Sequence, residues 1–333
     1  MLDRIQAVIN DNTENVKVVA DIFSGSGVVA TAFKENKYKV ITNDLLYFSY
    51  VLNRGTICIN KEPRFEALGI NNPIEYLNNL KLKDTNFSLD DCFIYSNYSP
   101  NENCNRMYFQ NENAIKIDII RLTIEQWKNE DKLTDDEYFY LLACLINAVP
   151  FVSNITGVYA AYLKKWDVRT YNTLELKKPS IITSRCKHIA YNQDTNVLAK
   201  QIKTDLTYID PPYNERQYLP NYHILETIAR YDYPAITGIT GMRDYKEQKS
   251  LYCQKGKVAQ AFNDLLSSLK TRYILISYNN ESLLSTEELT EIVKQNGIAS
   301  TFQLFEYDYR RYKSKIPNSE AGLKEQLYFI QKR

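Results

Sequence analysis

Apolar positions along this chain follow two different periods. Residues 16–22 (VKVVADI) form a short apolar block rich in β-branched side chains, the pattern of a buried parallel strand. FSGSG follows as a turn and VVATAFKENK as a helix. Residues 38–42 (YKVIT) repeat the strand pattern and end at Asn43-Asp44, and residues 45–54 read as helix. The three pieces make a βαβ unit, whose right-handed crossover implies a parallel sheet.

The pattern changes over residues 55–184. Residues 60–105 are polar and irregular. Ala114, Ile117, Ile120, Ile124 and Trp127 then recur at helical spacing. Thr134 with Glu137 is a capping-box start for a second helix running to Val149. The α/β alternation resumes with strands at 188–192, 205–209 and 273–278, and with helices at 197–203, 222–230, 258–269 and 287–295. Residues 301–309 and 326–331 alternate as an antiparallel hairpin. The expectation is an α/β fold: a doubly wound, mostly parallel sheet with a C-terminal antiparallel hairpin. Residues 1–54 and 185–333 would form one domain, and residues 55–184 a largely helical insert.

Composition narrows the class. The 333 residues are 44% hydrophobic and 24% charged, which suits a globular fold and excludes a disordered one. A formal net charge of +1 excludes a uniformly basic nucleic-acid binder but leaves room for a local basic cleft. No apolar run approaches the length of a membrane span, and the N-terminal stretch lacks a signal-peptide core, so a cytoplasmic protein is expected. The six cysteines form no CxxC pair and only two histidines accompany them, so neither a metal site nor a disulfide framework is expected.

Two motifs carry chemistry. Gly25-Ser26-Gly27-Val28-Val29-Ala30 fits G-x-G-x-x-A at a strand-to-helix turn, and Asp44 ends the next strand, where an acid can accept ribose hydroxyls. The motif alone does not separate a dinucleotide from S-adenosylmethionine. Asp21, just before the loop, suits a cationic amino group better than a pyrophosphate. The second motif is Asp210-Pro211-Pro212-Tyr213 at the end of a buried strand. An aromatic amine is a poor nucleophile because its lone pair is delocalised into the ring. A carboxylate and a fixed backbone carbonyl can each accept one amine hydrogen, favour a tetrahedral nitrogen and stabilise the charge that develops on it. Two prolines hold the Pro211 carbonyl in advance, and Tyr213 can stack on an extruded base.

DIFSGSG together with YIDPPY resembles the S-adenosylmethionine-dependent N6-adenine DNA methyltransferases of the DPPY type. The order of cofactor loop, long insert and DPPY is similar to the alpha class, in which the insert is the target-recognition domain. The run YIDPPYNERQYLPNYHILETIARY, with RYILISYNNE and RRYKSK, is similar to modification methylases of the FokI type from type II restriction systems. The resemblance implies the fold expected above, S-adenosylmethionine as cofactor, double-stranded DNA as partner and a separately acting restriction endonuclease. It implies that Asp210 and the Pro211 carbonyl accept the adenine N6 hydrogens, that Pro212 stiffens the loop and that Tyr213 stacks on the flipped base. It places Asp21, Phe23, Ser24, Gly25 and Gly27 in the cofactor loop, Asp44 on the ribose and Asp194 on the cofactor adenine. By chemistry alone Asp194 reads equally as a helix N-cap. One departure stands out: the family's Gly-Ser-Lys or Gly-Gly-Lys turn before the cofactor strand has no counterpart after Met1-Leu2-Asp3. This implies either a start further upstream or an incomplete cofactor pocket.

DNA contacts are less sharply marked. Lys164, Lys165 and Arg169 flank Trp166 in the insert, Arg216 follows DPPY, and Arg310, Arg311, Lys313 and Lys315 form a basic run near the end. Each serves as a phosphate contact or as part of a solvated surface. The competing classes are a methyltransferase for cytosine N4, RNA or protein amide, a nicotinamide oxidoreductase, and an inactive methyltransferase-fold protein that binds DNA or cofactor. Asp at position 210 favours adenine over cytosine, and the oxidoreductase leaves DPPY unexplained.

Overall fold

Seven strands realise the βαβ reading: β1 (Val18–Asp21), β2 (Lys39–Asn43), β3 (Ile189–Tyr191), β4 (Leu206–Ile209), β5 (Tyr273–Asn279), β6 (Gln303–Asp308) and β7 (Lys324–Gln331). This is a computed structural model, and it describes residues 1–308 and 322–332. The order across the sheet is β3-β2-β1-β4-β5-β7-β6. Pairings from β3 to β5 are parallel, and β7 runs antiparallel to both β5 and β6. The strand order reverses between β1 and β4, the switch point at which open α/β sheets hold their ligands. The doubly wound sheet with a C-terminal antiparallel hairpin is as expected.

The chain divides into two units. The first comprises Met1–Leu45, Cys186–Gln217 and Lys249–Arg333, with residues 309–321 and 333 outside the described set. Its core packs Ala20, Ile209, Ile274 and Ile276 on one sheet face against Val258, Phe262 and Leu266 of the helix Val258–Ser268. The second comprises Leu46–Arg185 and Tyr218–Gln248. It is built on the helices Tyr47–Thr56, Asn111–Asn129, Asp135–Ala148 and Leu219–Arg230. Thr134 caps Asp135–Ala148 in a reciprocal capping box with Glu137.

The unit boundary differs from the expected one. Residues 46–54 and 218–248, read from sequence with the catalytic portion, lie in the second unit. Packing explains the shift. Helix Tyr47–Thr56 lies against Asp135–Ala148 so closely that a Cβ on Gly55 would sit 2.3 Å from the Phe139 carbonyl oxygen. Helix Leu219–Arg230 buries Ile224 and Ile228 in the second unit's core. Both helices follow strands or motifs of the sheet in sequence, and chain continuity suggested a membership that their apolar faces do not honour.

Candidate active site

The loops after β1, β2, β3 and β4 converge within the first unit. After β1 the chain turns through Gly25 (φ 50°) and Gly27 (φ 83°), both in the left-handed region that a side chain disfavours. Gly27 is the N-cap of helix Val28–Glu35, and a Cβ on Gly25 would meet nothing within 4 Å. The turn therefore presents bare backbone to open space. Gly25 N–H donates to Asp44 Oδ2 at 2.8 Å, so the acid after β2 holds the glycine loop from below. Ser24 is tied to Asn43 by its N–H and its hydroxyl.

Asn43 is a junction that sequence reading missed. Its amide nitrogen donates to the Ile22 and Gln193 carbonyls and to Thr195 Oγ1, and its Oδ1 accepts from Gln193 N–H. One side chain thus ties together the loops after β1, β2 and β3. Asp194 is exposed and accepts from Val197 N–H at 3.1 Å, which is the N-cap role. Its neighbourhood includes Tyr252, whose ring meets Phe23 edge-on at 5.0 Å between centroids. Tyr252 carried no sequence signal, because it stands in the irregular stretch Leu251-Tyr252-Cys253.

Asp21 is the unusual group at this loop. It is 1% exposed, and its Oδ1 has no hydrogen-bond partner. Burial, with the negative charges of Asp210 and Asp44 nearby, pushes its carboxyl well above the usual carboxylate range. A buried acceptor with a free oxygen beside an open glycine turn fits a cationic amino group. A pyrophosphate would add charge of the wrong sign. The residues present therefore fit S-adenosylmethionine and disfavour a dinucleotide.

The Asp210-Pro211-Pro212-Tyr213 loop leaves β4 beside β1. Tyr213 donates its hydroxyl to Asp210 Oδ1, and Ser277 Oγ lies 3.1 Å from the same hydroxyl. Loss of solvation outweighs the hydrogen bonds from Tyr213 and Tyr208, which act in the opposite direction, and leaves the Asp210 carboxyl pushed up to about 6. Burial, and after it the Asp210 charge, raise Tyr213 strongly, so it stays a protonated donor. The Tyr213 ring stands edge-on to Tyr278 at 5.2 Å, and Tyr213 C=O accepts from Leu283 N–H at 3.1 Å. Among the described residues, no hydrogen bond takes the Pro211 carbonyl. Ser277 was legible only as the lone polar side chain in the apolar strand YILISY, and Tyr208 not at all.

The basic residues divide differently. Lys164, Lys165 and Arg169 lie in the second unit, where Arg169 pairs with Asp167 in the same turn. Arg216 is exposed in the first unit, with its carbonyl accepting from the Cys253 thiol. Arg310, Arg311, Lys313 and Lys315 fall outside the described residues. All six cysteines are free thiols. Among the described residues no helix is long and apolar enough to cross a membrane, and no cluster of His, Cys, Asp and Glu could hold a metal.

Comparison with known proteins fits this geometry. The model of a family described as D12 class N6 adenine-specific DNA methyltransferase matches residues 1–292. The chain is 47% identical to the type II methyltransferase M.FokI of Planomicrobium okeanokoites, over 100% of this chain and 51% of the relative. It is 42% identical to the modification methylase StsI of Streptococcus sanguinis, over 100% of this chain and 50% of the relative. It is 38% identical to the type II methyltransferase M.NlaIII of Neisseria lactamica, over 90% of this chain and 84% of the relative. The chain thus spans about half the length of the first two relatives and most of the third.

Proposed function

We propose a reaction from one premise: this chain belongs to the D12 class N6 adenine-specific DNA methyltransferases. The reaction is transfer of a methyl group to the exocyclic N6 amino group of an adenine in double-stranded DNA, with S-adenosylmethionine as donor. The adenine is turned out of the duplex to reach the loop after β4. The biological role is site-specific modification beside a restriction endonuclease, supported by the names of relatives that are type II and modification methylases.

The observation that carries the reading is the pairing of two loops across the β1/β4 switch point. One ends in the buried, half-unpartnered Asp21 and the open Gly25 turn; the other holds Asp210 with a free Pro211 carbonyl. Asp21 would hold the α-amino group of the cofactor, the Gly25–Gly27 backbone its amino-acid moiety, and Asp44 its ribose hydroxyls. Phe23 and Asp194 flank the side where its adenine would lie. Bound there, S-adenosylmethionine supplies a methyl group activated by a positively charged sulfur.

The chain's own residues prepare the nucleophile. Asp210 and the Pro211 carbonyl each accept one hydrogen of the N6 amino group. This draws the nitrogen towards a tetrahedral shape and aims its lone pair. Asp210 is ionised above about pH 6 and stabilises positive charge on N6 as it develops. After transfer N6 sheds one proton, for which Asp210 is the adjacent acceptor. Tyr213 and Ser277 keep that carboxylate in place, and the Tyr213 ring supports the extruded base. Transfer of labelled methyl from S-adenosylmethionine to unmethylated DNA, followed by nucleoside analysis, tests this reading. Label in N6-methyladenine supports it, and label in N4-methylcytosine or in no nucleoside contradicts it.

A further inference from the structure

We propose that residues 250–253 form a strut that holds the target-adenine loop and the cofactor loop at a fixed spacing, with Gln217 as a positioning residue at one end. The proposal rests on the reading of the chain as an N6-adenine methyltransferase. Every residue in it belongs to the first unit. Methyl transfer needs donor and acceptor atoms aligned at about 3–3.5 Å, and a misplacement of about 1 Å costs roughly a hundredfold in rate. In the proposed reaction two different loops hold the two partners. The sheet joins β1 to β4 as far as Ile22 N–H, which donates to the Tyr208 carbonyl at 3.3 Å. Past that rung both loops are irregular chain, residues 23–27 on one side and 210–217 on the other.

Residues 250–253 are bonded to the target loop. Ser250 N–H donates to Gln217 Oε1 at 2.8 Å, and Gln217 Nε2 donates to the Ser250 carbonyl at 3.0 Å. One carboxamide thus makes the reciprocal pair of bonds that a neighbouring strand would make. The Cys253 thiol donates to the Arg216 carbonyl at 3.4 Å. Residues 214–216 are exposed, and Asn214 Oδ1 accepts from Arg216 N–H in a local turn. The pair at Gln217 therefore anchors the far end of a run that begins at Tyr213.

The same turn is packed on the cofactor side. Tyr252 is buried, and its ring meets Phe23 edge-on at 5.0 Å and Phe262 of helix Val258–Ser268 at 5.2 Å. Its hydroxyl donates to Asn196 Oδ1 at 2.8 Å, and Asn196 lies in the helix Thr195–Ala199 that Asp194 caps. Tyr252 thus braces Phe23 directly, and the helix behind Asp194 through Asn196. Ser250 Oγ accepts from Tyr252 N–H at 3.2 Å, which fixes the two ends of the turn to each other. Close-packed aromatic groups pass on a displacement instead of absorbing it. Loosening Gln217 therefore lets the target loop drift against the cofactor while the cofactor keeps its own contacts.

The test uses the full chain and three variants, singly and with the first and last combined. Gln217→Met keeps the side-chain length and removes both bonds to Ser250. Gln217→Glu keeps the acceptor and loses the donor, and Tyr252→Leu loosens the other end. Thermal melting and calorimetric titration with S-adenosylmethionine follow fold and cofactor affinity. Methyl transfer is measured in a single turnover with unmethylated plasmid and cofactor both saturating. Gln217→Met should lower that rate roughly thirty- to a hundredfold, with melting and cofactor affinity close to the wild type. Gln217→Glu should fall between the two. The losses from Gln217→Met and Tyr252→Leu should combine to less than their product, because they break one strut at two points. A merely structural Gln217 would lower the melting temperature and leave the rate per folded molecule unchanged. A wild-type rate in Gln217→Met overturns the proposal, as does a rate that falls in step with cofactor affinity or a double variant that loses the full product. A wild type that methylates no adenine removes the reaction and the proposal with it; a methylating wild type beside an equally fast Gln217→Met removes the proposal alone.

Discussion

The Tyr213 hydroxyl donates its hydrogen to Asp210 Oδ1, so the tyrosine of the DPPY motif holds the aspartate as well as lying beside it. Ser277 Oγ, 3.1 Å away, holds the tyrosine in turn. A donor to the ionised form lowers the pKa of a carboxyl group. Tyr213→Phe keeps the ring and removes that donor. The acidic limb of the kcat/KM profile should therefore move to higher pH, while the KM for DNA changes little. Tyr213→Ala should lose base capture as well. An acidic limb unchanged in Tyr213→Phe would mean that the hydroxyl does not support Asp210.

Asp210 itself sets a pH dependence of opposite sign for activity and for stability. In the proposed reaction its ionised form is the acceptor, so kcat/KM should fall by one proton's slope below about pH 6. Its folded value lies above the ordinary 3.8. The stability it contributes is complete below 3.8 and is lost as pH rises through about 6. Asp210→Asn should thus abolish transfer yet raise stability on the order of 1 kcal/mol above pH 6, with the gain vanishing in acid. Melting curves of both proteins on either side of that pH check the sign.

Asp21 should report cofactor binding through protons. Burial and the charges of Asp210 and Asp44 raise its carboxyl in the free protein. A bound cationic amino group favours the ionised form. Binding of S-adenosylmethionine should therefore release protons and tighten as pH rises. Calorimetry in buffers of different ionisation enthalpy measures the release directly. Asp21→Asn should abolish it and weaken affinity about tenfold or more, and an unchanged release would place the amino group elsewhere.

Asp118 is the corresponding buried acid of the second unit, and its role is structural. It accepts from Ile94 N–H and Tyr95 N–H at 2.8 Å each and from the Tyr231 hydroxyl at 2.5 Å. Asp118→Ala takes the acceptor from the Ile94 and Tyr95 N–H groups and leaves the Tyr231 hydroxyl the Asp91 carbonyl at 3.4 Å, and should cost about 3 kcal/mol. A urea titration should show the lowered midpoint, with cofactor affinity unchanged at low denaturant.

The sheet was legible because buried parallel strands have a strong local signature. Residues 16–22, 38–42 and 273–278 are apolar blocks bounded by turn residues, and all three became strands within two residues of the expected limits. The candidate residues at strand ends could be singled out where they are local in sequence, as in the Asp21 to Gly27 and Asp210 to Tyr213 runs, and the structure places both runs at the ends of β1 and β4. Asn43, Tyr208, Tyr252 and Ser277 escaped because their roles come from strands and loops brought side by side. The unit boundary escaped for a related reason. Nothing in residues 46–54 or 218–230 tells an apolar helix face which core it will join. Asn78, Asn113 and Asn154, whose carboxamides bond the backbone of Leu176, of Thr170, Asn172 and Leu174, and of Leu163 and Asp167, are ordinary residues in sequence and acquire meaning only from the backbone opposite them.

Methylation of an unmodified plasmid by the purified chain with S-adenosylmethionine, mapped by long-read sequencing, tests the central claim most directly. N6-methyladenine confined to one sequence context with the wild type, and its complete loss in Asp210→Asn, is the expected result. Equal modification by Asp210→Asn, or modified cytosine in place of adenine, would contradict the account.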